Sequence, residues 1–182
     1  MPKPILTVIS GPPGAGKSTL ARGLTERLGL PAISRDELKQ GLVDTLQEQL
    51  TDDVHHWLDL RALDLFFDLL TTLVEGEVSC IAEAAYQDQL WSPGLEPLLP
   101  RARVLLIRCR VDRARARHRQ DRRLGTDPRR AAHRDEAHLQ AAGTEPFDWP
   151  RLDVPTLDLT TDTDPAVTLA RAAGFVQSLR GR

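Results

Sequence analysis

Aromatic residues make up only 4% of the 182-residue chain. So few rings argue against a nucleic-acid surface built on stacked bases. Cysteine is nearly absent. Cys80 and Cys109 each lie in an apolar run that reads as a buried strand, which leaves no disulfide framework and no metal-ligand spacing. The expected setting is a reducing cytoplasm. No charged-then-apolar leader opens the chain and no apolar run has bilayer length, so neither export nor a membrane span is expected. The formal net charge of −2 provides no global field for nucleic acid or lipid. Lysine is scarce: Lys3, Lys17 and Lys39 stand alone among arginines. That scarcity singles out Lys17 and Lys39. What is present is ordinary for one soluble domain, with 41% hydrophobic and 27% charged residues. The charge is unevenly spread: residues 101–134 are rich in arginine and residues 44–77 are mainly acidic.

The most informative stretch is Gly11-Pro12-Pro13-Gly14-Ala15-Gly16-Lys17-Ser18-Thr19. It fits the pattern G-x-x-x-x-G-K-[ST]. It follows the apolar run Ile5–Ile9 and precedes the helical Thr19–Leu24, the context that this phosphate-binding loop requires. Its glycines let successive backbone N–H groups turn inward, and the following helix adds its positive dipole end. Lys17 supplies a point charge for the β- and γ-phosphates, and Ser18 a hydroxyl for Mg²⁺.

Strands alternate with helices through the rest of the chain. Strands are expected at 4–10, 31–34, 78–84, 103–109 and 156–160. Helices are expected at 17–28, from Glu37, at 53–75, at 113–123, at 129–142 and from Pro165 to about Leu179, with a loop and short helix over 86–96. Gly29 and Gly76 read as helix ends and Asp112 as an N-cap. Trp57, Leu60, Leu63, Phe67, Leu70 and Val74 form the expected buried stripe of 53–75. The fold class is α/β: a five-stranded, mostly parallel sheet with helices on both faces. One domain over 1–182, a P-loop NTPase fold, carries an arginine-rich helical lid at about 113–142.

Such sheets bind ligands beyond the carboxyl ends of their strands, where every candidate polar residue of this chain falls. Asp36, just past strand two, is the candidate general base; capping the helix at Glu37 is its bland alternative. Glu83 ends strand three and is a candidate to orient Mg²⁺ or touch the acceptor. The arginines 113, 115, 117, 119, 122 and 123 suit the spreading charge of a transferring phosphoryl group, with Arg119 and Arg123 favoured as catalytic and Arg115 behind them. Tyr86 and Trp91, and the run His55-His56-Trp57, are candidates to line an acceptor pocket. Asp162 and Thr163 are placed beside the adenine by topology.

Residues 4–42, with Ser10-Gly11-Pro12-Pro13-Gly14-Ala15-Gly16-Lys17-Ser18-Thr19 followed by Ile33-Ser34-Arg35-Asp36-Glu37-Leu38-Lys39-Gln40, closely resemble the 5′-kinase domain of phage polynucleotide kinase. The wider group is the small AAA-type P-loop kinases that include chloramphenicol phosphotransferase and the zeta toxins. The likeness is weaker, though in the right order, through strands three to five. It implies that Arg35-Asp36 supplies the catalytic aspartate, that Lys39 contacts a phosphate of the acceptor, and that an arginine between Arg119 and Arg123 reaches the transferring phosphate. The acidic residue ending strand three is usually aspartate in that group and is Glu83 here. The arginine that often follows it in polynucleotide kinases is absent, Gln87-Asp88-Gln89-Leu90-Trp91 standing in its place.

The expected activity is transfer of the γ-phosphate of ATP, with Mg²⁺, to a hydroxyl of a small molecule, without an obligatory protein partner. A polynucleotide 5′-hydroxyl is the alternative acceptor; against it stand the few aromatics and the acidic region 44–77. A nucleotide-hydrolysing switch is the alternative from another class. It is disfavoured because no guanine-reading N-K-x-D, no ABC-type signature and no full h-h-h-h-D-E run is present.

Overall fold

A computed structural model describes residues 2–46, 51–85, 88–124 and 147–180. Its centre is β1 (Ile5–Ser10), every residue of which is buried. Such a run can be stable only with helices over both faces. It pairs in parallel with β3 (Cys80–Glu83) on one side and β4 (Arg103–Arg110) on the other. β2 (Ala32–Ser34) and β5 (Thr156–Thr160) complete the order β2-β3-β1-β4-β5, all parallel. The chain leaves β1 over β3 to reach β2, and leaves β3 in the opposite direction over β1 to reach β4, which makes a switch point between β1 and β3, where ligands of such sheets bind.

The side chains of β1 alternate between two cores. Ile5 and Ile9 pack with Leu20 and Leu24 of α1 (Lys17–Leu28) and with Ala172 and Val176 of α6 (Pro165–Arg180). Leu6 and Val8 face the opposite layer, formed by α3 (Asp52–Glu75) and α4 (Asp88–Leu95). There Phe66 lies edge-on to Trp91 with centroids 5.6 Å apart. Trp91 is therefore part of this core, 6% exposed.

Most expected boundaries hold. Gly29 ends α1 in the left-handed region with its N–H on Thr25 O at 2.9 Å. Asp112 caps α5 (Arg113–Leu124), its Oδ1 accepting from Ala114 N at 2.9 Å and Arg115 N at 3.2 Å. Three details differ. α2 (Arg35–Leu46) follows β2 without a loop, so Asp36 stands in its first turn instead of capping it. The buried row of α3 is Leu58, Ala62, Phe66, Leu70 and Val74; the expected Leu70 and Val74 belong to it, Leu63 and Phe67 are partly buried beside it, and Trp57 and Leu60 are exposed. α3 is apolar around much of its circumference, and the fit to the sheet selected the face. Finally, β3 begins at Cys80, not at Val78, because the end of α3 uses the preceding residues. Val78 N bonds Leu73 O at 2.8 Å and Glu77 N bonds Val74 O at 3.1 Å, a Schellman closure with Glu77 at φ 59°. The turn 125–128 and the helix 129–142 of the expected lid lie outside the described residues. So does Tyr86.

Candidate active site

The loop from Gly11 to Thr19 joins β1 to α1. Gly16 has φ +78° and stands at the N-terminus of α1, its carbonyl accepting from Leu20 N at 3.0 Å. Gly14 has φ +79°, and a Cβ there would lie 2.6 Å from the carbonyl oxygen of Ala116. Glycine is thus required at Gly14 twice, by its backbone angle and by the approach of α5. Lys17 is largely buried, and its Nζ donates to Pro12 O at 3.1 Å, across the loop that would cradle phosphates.

The sheet register brings Glu83 beside this loop. Ile9 and Ser34 are its partners on the two flanking strands. One oxygen, Oε2, accepts from Ser34 Oγ at 2.8 Å and from Ser18 Oγ at 3.3 Å. Glu83 is only 2% exposed. Burial pushes its carboxyl above the usual range. The Lys17 charge and the two hydroxyls oppose this, the Asp36 charge adds to it, and the net direction is upward. The donor set of one hydroxyl and one carboxylate, both hard oxygens, fits Mg²⁺. A cation would also compensate the buried charge that Glu83 carries when ionised.

Asp36 lies on the same edge, half exposed, with Arg35 Nη1 at 3.5 Å from its Oδ1. Arg35 and Lys39 both turn to α3. Arg35 Nη2 donates to Asp59 Oδ1, and to Asp59 O at 3.3 Å; Lys39 Nζ donates to Asp59 Oδ1 at 2.8 Å. Burial alone would raise the Asp59 carboxyl. The Lys39 hydrogen bond and the charges of Arg35 and Lys39 outweigh it and hold that carboxyl below its usual range.

Arg119 closes the other side. Its Nη1 donates to Gly14 O and Thr161 Oγ1, each at 3.2 Å, and its Nη2 to Thr161 O at 2.7 Å. The arginine stands directly on the phosphate loop, and Thr161 after β5 holds it there. Asp162 ties the same junction: its Oδ2 accepts from Asp112 N at 2.9 Å, and its carbonyl accepts from Arg115 Nη1. Arg113, Arg117 and Arg122 are exposed. Arg123 belongs to α5, but its side chain lies outside the described residues. At the start of α3, His55 is buried whereas His56 and Trp57 are exposed.

The structure thus gathers Lys17, Ser18, Glu83, Asp36 and Arg119 at the carboxyl edge. Sequence reading missed Ser34 and Asp59. The acidic run 44–77 contained Asp59, but nothing local separated it from its neighbours. Ser34 directly precedes Arg35-Asp36, and only the register shows its contact with Glu83.

Known proteins resemble this chain in sequence over part of its length and in fold over most of it. A tRNA dimethylallyltransferase of Synechococcus sp. (strain CC9902) is 40% identical over 89 residues, 42% of this chain and 30% of its own length. The chain spans about a third of the length of the curated relatives it matches. Among solved structures, a kinase candidate from Chloroflexus aurantiacus J-10-fl superposes with TM-score 0.84 at 22% identity, covering 97% of this chain and 98% of that one. The Mycobacterium tuberculosis APS kinase CysC, in complex with AMPPNP and APS, superposes with TM-score 0.63 at 17% identity, covering 97% and 99%. At such identities these structures establish the fold. The profile described as the AAA domain matches residues 6–145, and with the loop, sheet order and carboxyl-edge residues described above, the chain belongs to that family of P-loop, kinase-like domains.

Proposed function

We propose that the protein is an ATP-dependent phosphotransferase whose acceptor is a hydroxyl of a small molecule, acting as a single P-loop kinase domain in a reducing cytoplasm. The observation that carries this reading is the convergence of Lys17, Glu83 and Asp36, close enough that the charges of Lys17 and Asp36 both act on Glu83. A loop that only gripped a nucleotide would not need Asp36, a half-exposed carboxylate on the acceptor side.

In this reading the backbone from Gly11 to Thr19 holds the phosphates, and Lys17 leaves Pro12 O to meet the β- and γ-phosphates. Mg²⁺, held by Ser18 and Glu83, would neutralise charge on the phosphate oxygens. Asp36 orients the acceptor hydroxyl and takes its proton as the oxygen bonds to the γ-phosphorus. The bond from that phosphorus to the β–γ bridging oxygen breaks, and ADP leaves. A positioned base contributes about 10²–10⁴-fold. Arg119, already on the loop, stabilises the phosphoryl oxygens as they move, with Arg123 as a second candidate. Asp162 borders the adenine. Arg35, Lys39 and Tyr86 belong to the acceptor side, Arg35 and Lys39 through Asp59. Closing α5 over the loop excludes water, which would otherwise compete as acceptor.

The test is transfer from γ-labelled ATP to sugars, nucleosides, hydroxylated antibiotics and 5′-hydroxyl oligonucleotides. Label on a small acceptor supports the proposal. Label on oligonucleotide ends would make the enzyme a polynucleotide kinase, and label released only as free phosphate would make it a nucleotide hydrolase.

A further inference from the structure

The acceptor side holds two cations, Arg35 and Lys39, within a few residues of Asp36. Free, they would form an anion site beside the reacting hydroxyl, suited to an acceptor that already carries a phosphate. The structure gives them another partner. Lys39 is 2% exposed and its Nζ lies 2.8 Å from Asp59 Oδ1. Arg35 donates to the same carboxylate oxygen and also to the Asp59 carbonyl at 3.3 Å. Asp59 comes from the second turn of α3, packed against α2, so the contact joins two helices and does not depend on a loop. An ammonium buried this deeply has almost no surface left for an incoming anion. A phosphate would have to displace a carboxylate whose ionised form the two cations already favour. The charges of Arg35, Lys39, Asp36 and Asp59 also sum to zero, so this edge carries no net attraction for an anion.

We infer that Asp59 is the specificity-determining residue of the acceptor side: by engaging Arg35 and Lys39 it withholds them from substrate anions, and the acceptor is an uncharged hydroxyl compound with no phosphate beside the reacting hydroxyl. This rests on the phosphotransferase reading above and narrows its substrate class. Asp59 touches neither nucleotide nor acceptor in this account; it acts through the two cations it holds.

The experiment is calorimetric titration of the full chain with inorganic phosphate after saturation with AMPPNP and Mg²⁺, so that the phosphate loop is filled. Wild type, Lys39→Met and Asp59→Asn are compared. Wild type and Lys39→Met are expected to bind phosphate equally weakly, because Lys39 is not available to it. Asp59→Asn frees the cations and is expected to bind at least tenfold more tightly than either. Tenfold tighter binding by wild type than by Lys39→Met would overturn the inference. So would a folded Asp59→Asn that binds no better than wild type. If Asp59→Asn fails to fold, the wild-type against Lys39→Met comparison decides alone. Failure of AMPPNP to bind in the first step would count against the phosphotransferase reading itself. The difference between wild type and Lys39→Met would still report on Asp59.

Discussion

Replacing Glu83 with glutamine separates what this residue does for the fold from what it does for the site. Glu83 is 2% exposed, and two hydroxyls on one oxygen and the charge of Lys17 compensate its own charge in part. Its folded pKa is raised above the free value of 4.5. The folded state therefore keeps a proton that the unfolded state has lost. Between the free value and the folded value, stability falls as pH rises; above the folded value the penalty is complete and constant. Glutamine has no such proton, so Glu83→Gln matches the protonated wild type at pH 4 and escapes the penalty at pH 8. Relieving an imperfectly compensated buried charge is worth on the order of 1 kcal/mol, or about 2–4 °C in Tm for a chain of this size. The assay is Tm against pH from 4 to 8 for both proteins without ligand, read as the difference curve. The variant should draw level with or below wild type at low pH and rise above it toward pH 8. With Mg²⁺ and AMPPNP the order should reverse, because only the carboxylate gains a cation and the ligand stabilises whichever protein binds it better. A ligand-free difference that is flat with pH, or a wild type more stable than the variant at pH 8, would refute the account of Glu83 as a buried charge awaiting a cation.

Other perturbations test separate parts of the structure. A Cβ on Gly94 would lie 2.3 Å from the Phe67 ring, which packs against Trp91 at 5.6 Å. Gly94→Ala should therefore lower stability by about 1–3 kcal/mol, seen as a reduced urea midpoint. Glu77 holds φ 59° in the Schellman closure of α3, so Glu77→Gly should raise stability by about 1 kcal/mol in the same assay. Arg119→Ala removes the contacts to Gly14 O, Thr161 Oγ1 and Thr161 O. It should lower kcat by roughly 10²–10³ with a far smaller change in ATP affinity, measured by steady-state transfer and by nucleotide titration.

The legible parts of this protein were those whose chemistry is local. The run from Gly11 to Thr19 declares itself because turn, helix dipole, lysine and hydroxyl must follow one another along the chain. Gly29 and Asp112 are legible for the same reason, since caps act within a few residues. The placement of Asp36, Glu83 and Arg119 at one edge followed from strand–helix alternation alone. What stayed hidden depends on contacts between distant segments. The face that α3 buries was only partly legible: Leu70 and Val74 of the expected stripe lie in it, but Leu58, Ala62 and Phe66 are buried while Trp57 and Leu60 are exposed. Asp59 looked like any other acid of an acidic segment until α3 packed on α2. Trp91, next to candidate site residues in sequence, proved to be core because Phe66 and Phe67 meet it there. Ser34 became visible only when the register set it against Glu83.

The central claim is that Asp36 activates an acceptor hydroxyl while the phosphate loop does the binding. Its most direct test is single-turnover transfer from γ-labelled ATP by wild type and Asp36→Asn, with nucleotide affinity measured in parallel. The account predicts nearly unchanged ATP affinity and a transfer rate lower by roughly 10²–10⁴-fold in the variant. Equal transfer rates would contradict it.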